Sequence, residues 1–254
     1  MSGSLSVIGL GPGCASQLTP QATLALQAAQ VLFGYGPYLD RVPVRAGQLR
    51  LGSDNRQEID RARLALAQAA AGAQVAVVSG GDPGVFAMAA AVCEAIEHGP
   101  AAWRELDVTI VPGITSMLAV AARIGAPLGH DFCALSLSDN LKPWAVVERR
   151  LEAAAVAGFV IALYNPISRA RPWQLDRAFD LLRAHLPPDT LVIFGRAVTR
   201  DDENVQVTTL IVAQGSAADM ATCVIIGSAE TRSIARENRS ALVYTPRSMG
   251  ESST

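Results

Sequence analysis

The sequence predicts an α/β protein of two domains with a ligand cleft between them. Three observations carry this reading. Short runs of branched apolar residues alternate with Ala-rich segments of helical length along the 254 residues, the pattern of strands joined through crossover helices. Several of those runs end in turns built from glycine and proline. The stretch at 124–130 (Ile-Gly-Ala-Pro-Leu-Gly-His) then interrupts the alternation, and the pattern restarts after it. The expected domains are residues 1–124 and 131–245, with 246–254 a disordered polar tail.

Each element has a local reason. A strand is expected at 5–9, then a helix from Pro20 to about residue 30, with Thr19 as its N-cap and proline in the first turn. A strand follows at 31–33. The helix at 58–71 stops at Gly72, the residue type that accepts the left-handed conformation at a helix end. Strand 74–78, helix 85–97, strand 107–111 and helix 115–123 complete a first half that implies a parallel sheet covered on both faces. Beyond the interruption come strand 132–137, helix 144–157, strand 159–163, helix 172–185 and strand 190–195. Residues 204–210 alternate like an exposed strand, and 223–226 and 241–244 read as further strands. The second half thus mixes crossovers with hairpin-like pieces.

Composition excludes several functions. The net charge of −2 and pI near 5.9 supply no general attraction for nucleic acid or an anionic membrane. No apolar run reaches membrane-spanning length and the N-terminus lacks the form of a signal peptide, so a cytoplasmic protein is expected. Cys14, Cys93, Cys133 and Cys223 show no C-x-x-C spacing and the three histidines are scattered, so no metal site is expected. Lys142 is the single lysine, in a polar loop beside Pro143, which argues against Schiff-base and P-loop chemistry.

The glycine-rich turns hold most of the functional information. Gly80-Gly81-Asp82-Pro83-Gly84 lies between an apolar run and an Ala-rich segment, so a strand ends in a turn almost free of side chains and a helix follows. Such a turn offers backbone N–H and C=O groups to a ligand. Its acid would repel phosphate and suits a ligand bearing positive charge or hydrogen-bond donors. Gly9-Leu10-Gly11-Pro12-Gly13 invites a dinucleotide reading and fails it: Cys14 takes the place of the third glycine, Pro12 has no N–H, and Phe33 is followed by Gly34-Tyr35 in place of a ribose-binding acid. Two further turns, Val111-Pro112-Gly113-Ile114-Thr115-Ser116 and Leu163-Tyr164-Asn165-Pro166, also stand at strand ends, where open α/β sheets bind ligands.

Taken in order, Val7-Ile8-Gly9-Leu10-Gly11-Pro12-Gly13, Gly80-Gly81-Asp82-Pro83, Val111-Pro112-Gly113-Ile114-Thr115-Ser116 and Val224-Ile225-Ile226-Gly227 resemble the tetrapyrrole (precorrin) methylase family over nearly the whole chain. Gly34-Tyr35-Gly36-Pro37-Tyr38-Leu39, Arg56-Gln57-Glu58-Ile59-Asp60-Arg61-Ala62 and Leu163-Tyr164-Asn165-Pro166-Ile167-Ser168 resemble a branch of it that methylates and contracts the ring in cobalamin synthesis. Where relatives carry Gly-Met-Arg before the second of these, this chain has Ser53-Asp54-Asn55.

The resemblance implies S-adenosylmethionine as methyl donor, a tetrapyrrole substrate and a homodimer, with neither nucleic acid nor membrane as partner. By motif matching it assigns Pro12, Gly80, Gly81, Asp82, Val85, Thr115, Ser116, Tyr164, Asn165, Ala197, Ala221 and Thr222 to the donor site. Asp82 also reads as an Asx-type brace for its own loop, and Thr115 and Ser116 read alternatively as helix caps. Gly11 and Gly13 would face the macrocycle, and Arg41, Arg169, Arg196 and Arg232 are candidates for its acetate and propionate arms, with a solvated surface role the alternative for each. Catalysis would rest on positioning and exclusion of water, and no residue stands out as a general base.

Overall fold

A computed structural model describes residues 3–54, 56–168 and 170–248. Arg169 and most of the expected polar tail lie outside the described residues. The chain divides into two compact units, one ending at Thr115 and the other beginning at Ser116.

The first unit runs β1 (Ser4–Gly9), α1 (Pro20–Ala28), β2 (Val31–Tyr35), α2 (Gly36–Leu39), β3 (Leu49–Ser53), α3 (Glu58–Ala70), β4 (Gln74–Ser79), α4 (Met88–His98) and β5 (Asp107–Val111). Its five strands form one sheet in the order β3-β2-β4-β1-β5, every pair parallel. Neighbouring residues in a strand point to opposite faces, and here both faces are covered. Leu5, Val7, Val75 and Val77 pack under α3 and α4, with Ala62, Leu66 and Val92. Ile8, Ala76 and Val78 face the other way, onto Ala22 and Leu26 of α1 and Leu39 of α2. The Thr19 side chain accepts from the Ala22 N–H at 3.1 Å, as its N-cap position requires. Gly72, just past α3, has φ +101°.

The second unit comprises α5 (Ser116–Ile124), β6 (Gly125–Ala126), β7 (Phe132–Ser136), α6 (Trp144–Val156), β8 (Val160–Tyr164), α7 (Gln174–Arg183), β9 (Leu191–Arg196), β10 (Asn204–Thr209), β11 (Thr222–Ile226), β12 (Arg232–Arg236) and β13 (Arg239–Tyr244). Its main sheet has the order β10-β9-β11-β8-β7. Strands β7 and β8 are parallel, and β11 runs antiparallel between β8 and β9. β10 pairs antiparallel with β9 at the edge. A smaller sheet, β12-β13-β6, follows. The core gathers Leu151, Leu163, Phe179, Leu182, Phe194 and Val224.

Several expectations need correction. The helix expected from Val85 begins at Met88, because Phe86 has φ +51° and cannot continue a helical turn. The helix expected from Pro172 begins at Gln174. The sequence reading missed α2, β3 and β12. Residues 124–130, read as a linker, include β6, whose Gly125 and Ala126 pair with Val243 and Tyr244. The units divide before α5, not after it. The reason is packing: a Cβ added at Gly195 of β9 would come 2.2 Å from the Val120 side chain, so α5 lies directly on the second sheet.

That contact makes a test. Gly195→Ala should lower stability by about 1–3 kcal/mol, the cost of overpacking a filled core, read as an earlier urea midpoint with an unchanged slope. A Val120→Ala change in the same chain should recover part of the loss.

Candidate active site

In the first unit the three glycine-rich turns come from adjacent strands, because β4, β1 and β5 are neighbours in the sheet. All three leave its carboxyl edge. After β1 the chain bends at Gly11, φ +64°, and after β4 it bends at Gly81, φ +64°. Both lie in the left-handed region, open to glycine at little cost. The two turns are stitched by a reciprocal backbone pair: Gly11 N–H donates to the Gly81 carbonyl at 3.1 Å, and Gly81 N–H to the Gly11 carbonyl at 2.9 Å. The third turn closes against them. A Cβ on Gly113 would meet the Gly81 carbonyl at 2.3 Å, and one on Gly9 would meet the same carbonyl at 2.7 Å. Backbone fills the space that side chains would occupy.

Asp82 ties the arrangement together. One carboxylate oxygen accepts from the Gly84 N–H at 2.8 Å, an Asx-type brace within its own loop. The other accepts from the Gly113 N–H at 3.0 Å and so reaches the turn after β5. The sequence anticipated the first contact and not the second. Val85, Phe86 and Ala87 prolong this turn before α4, so Val85 belongs to a loop.

Side chains from outside the turns hold two of them. The Tyr38 ring lies against Gly80, where an added Cβ would come within 2.8 Å, and Tyr35 packs edge-on to Tyr38 at 5.5 Å between ring centroids. Arg41, a candidate for the substrate's carboxylates, donates to the Leu10 carbonyl at 2.8 Å and the Gly11 carbonyl at 2.9 Å. It orients the turn after β1. Arg61, from the Arg56–Ala62 motif, is buried and donates to Ser53 Oγ at 2.8 Å and the Asp54 carbonyl at 2.7 Å, with Met88 Sδ at 3.2 Å. Burial lowers its affinity for the proton, against the opposing charges of Glu58, Tyr38 and Asp54. Gly13 is half-buried and Pro12 buried beyond Gly11.

The second unit places its own predicted residues at strand ends. Tyr164 closes β8, and its hydroxyl accepts from the Met117 N–H at 3.0 Å, in the first turn of α5 next to Ser116. Asn165 has φ +50°, and its Nδ2 donates to Ser136 Oγ at 2.9 Å. Ala197, φ +46°, donates its N–H to the Ala221 carbonyl at 3.0 Å. Thr222 Oγ1 donates to Asp219 at 2.8 Å, and Asp219 also accepts from the Ala221 N–H at 2.9 Å and from Arg196 Nε at 2.7 Å. The Asp-x-x-Thr spacing of 219–222 was a readable signal for this turn. Arg196 also pairs with Asp202 at 2.9 Å, so its charge is matched within the protein. Arg232 lies exposed on β12, 3.4 Å from Glu230. Thr115 is buried at the end of the first unit. Among the described residues no group of acids, histidines and cysteines could hold a metal ion, and no helix is long and apolar enough to cross a membrane.

Three glycine turns locked backbone to backbone, with an acid bracing two of them, define a class of protein. Residues 4–212 match the model of the tetrapyrrole (corrin/porphyrin) methylases, and the chain belongs to that family. A precorrin-3B C(17)-methyltransferase from a Sinorhizobium species is 64% identical over 97% of this chain and 97% of its own length. The cobalamin biosynthesis protein CobIJ of Mycobacterium tuberculosis is 47% identical over 97% of this chain, which spans 48% of that protein. Among solved structures, the methyltransferase CobJ superposes with a TM-score of 0.92 at 48% identity, covering 96% of this chain and 100% of that one. Uroporphyrin-III C-methyltransferase of Thermus thermophilus, solved with S-adenosylhomocysteine, shares the fold at a TM-score of 0.67 and 23% identity, over 89% of this chain and 97% of its own.

Two tests follow from the bonding. Asp82→Ala strands the N–H groups of Gly84 and Gly113 and should destabilise the protein by about 1–3 kcal/mol in chemical denaturation. Asp82→Asn keeps one of the two acceptors and should cost less.

The second concerns acid. Partial burial disfavours ionised Asp219, but the hydrogen bonds from Arg196, Thr222 and Ala221 outweigh it and hold the carboxyl below its usual range. A carboxyl depressed on folding adds stability above its unfolded value and loses it as pH falls through the folded one. Thr222→Val should therefore move the acid limb of the stability curve, followed by urea titration across pH, to higher pH.

Proposed function

We propose that this chain transfers the methyl group of S-adenosylmethionine to carbon 17 of precorrin-3B, with contraction of the ring to precorrin-4, in cobalamin biosynthesis. The observation that carries the proposal is the 64% identity to a precorrin-3B C(17)-methyltransferase over 97% of both chains. The glycine turns, Asp82 and the Tyr164-Asn165 strand end support it.

The donor's chemistry fits the residues. It carries a sulfonium, an ammonium and an adenine amine, all suited to carbonyl-rich turns beside an acid. The glycines at 9, 11, 81 and 113 let the three turns pack backbone against backbone, with no side chain between them. Pro12, Gly80, Gly81, Asp82, Val85 and Thr115 of the first unit, and Ser116, Tyr164, Asn165, Ala197, Ala221 and Thr222 of the second, are the residues assigned to hold it. Asp82 has both carboxylate oxygens committed to backbone N–H groups, so it shapes the loop and lends negative charge without moving a proton. When bound, the donor supplies an electrophilic methyl group. This chain's part is to orient the ring carbon toward it and exclude water, since an in-line displacement gains most from alignment. Gly11 and Gly13 are assigned to the macrocycle face. On the family resemblance, the active form is a homodimer, and the sequence pattern reads as that of a cytoplasmic protein.

Incubation with precorrin-3B and donor labelled in the methyl group should yield a singly methylated, ring-contracted product labelled at carbon 17. Label on another ring carbon would reassign the position, and donor binding without transfer to any tetrapyrrole would overturn the function.

A further inference from the structure

The substrate's carboxylate arms need cations, and the described arginine candidates are committed elsewhere. Arg41 donates to two backbone carbonyls, Arg196 is matched by Asp202 and Asp219, and Arg232 faces Glu230. Lys142 is different. It lies in the connection between β7 and α6, is half-buried, and its Nζ donates to the Ser138 carbonyl at 3.0 Å. An ammonium has three donors, and the carbonyl occupies one. Lys142 makes no ion pair among the described residues. The acid three positions earlier, Asp139, is taken: it pairs with Arg171 and accepts from Nε2 of buried Gln174 at 3.0 Å.

Position adds a second argument. The β7–α6 connection leaves the carboxyl end of β7, beside the carboxyl end of its parallel neighbour β8, the place where open α/β sheets bind ligands. The two connections are bonded together. Asn165 Nδ2 reaches Ser136, the Leu137 N–H donates to the Tyr164 carbonyl at 2.9 Å, Asp139 grips Arg171 and Gln174, and Trp144 packs edge-on to Trp173 at 4.9 Å between centroids. Lys142 is thus presented on a braced loop, a few bonds from two residues assigned to the donor. Burial first, and the charge of Arg150 second, lower its proton affinity, with Asp139 opposing. An anion seated there relieves the cost of an unmatched, partly desolvated ammonium.

We propose that Lys142 binds a carboxylate of the tetrapyrrole substrate, an acetate or propionate arm, and so fixes the ring's orientation. The inference rests on the proposed function for its ligand class, and the experiment separates the two. Wild type, Lys142→Met and Lys142→Arg are compared by calorimetry with S-adenosylhomocysteine, by absorbance titration with the octacarboxylate uroporphyrin, and by turnover of precorrin-3B. Lys142→Met should leave S-adenosylhomocysteine affinity unchanged and weaken uroporphyrin binding about tenfold or more, the worth of a charge-assisted hydrogen bond. It should raise KM for precorrin-3B by a similar factor with a smaller effect on kcat, and Lys142→Arg should recover much of the loss. Failure of the wild type to methylate carbon 17 would defeat the proposed function and leave the binding titration to decide the role of Lys142. Uroporphyrin binding equal in wild type and Lys142→Met, absent from both, or lost together with S-adenosylhomocysteine affinity would overturn the inference.

Discussion

The reciprocal hydrogen bonds between Gly11 and Gly81 are the constraint on which the first unit's candidate site depends. Two strand ends are held so close that their connecting backbones pair outside the sheet, and this requires both residues to lie at positive φ. The turn after β5 then fits only because Gly113 has no Cβ to strike the Gly81 carbonyl. Asp82 and Arg41 follow from the same closeness. The tight approach gathers backbone N–H and C=O groups in one place, and these two side chains satisfy part of them: Asp82 takes two N–H groups, Arg41 two carbonyls. Buried backbone polar groups must be paired, so side chains expected to meet ligands also serve here as structure.

The second unit reaches strand-end sites by a different sheet. Its parallel pair, β7 and β8, carries Ser136, Tyr164 and Asn165, while Ala197 and the Asp219–Thr222 turn stand where β9 ends and antiparallel β11 begins. Asn165 and Ala197 both adopt positive φ without being glycine. Such conformations cost about 1–3 kcal/mol, and each is held by a bond from its own residue, the Asn165 amide to Ser136 and the Ala197 N–H to Ala221.

Much of this was legible in the sequence, and for identifiable reasons. Thr19-Pro20, Gly72 and the apolar runs act locally, so α1, the end of α3 and the strands of the first sheet could be read within a residue or two. Glycine, proline and asparagine at strand ends marked the four turns. The omissions have causes as definite. β3 and β12 carry Arg50 and Gly52, or Arg232 and Arg236, and lie at sheet edges where neither alternation nor burial marks a strand. The true start of α4 hinges on the backbone of Phe86, which no propensity reveals. The roles of Arg41, Tyr38 and Arg61 depend on contacts between distant segments, and Arg41 in isolation reads as any surface arginine would. Asp82 was half visible: its bond to Gly84 is local, while its bond to Gly113 spans 31 positions.

The place of β11 has a consequence for how the protein is made. The first sheet is complete once residue 111 has left the ribosome, so that half can fold while synthesis continues. The second sheet cannot close in the same way. Its middle strand is Thr222–Ile226, inserted between β8 and β9, which are made earlier. Until β11 arrives, β8 and β9 expose a gap between two strongly apolar strands, Val160–Tyr164 and Leu191–Arg196. The nascent second half therefore waits with unpaired inner edges, and a chain stopped short of residue 222 would present those edges to any neighbour able to supply a strand.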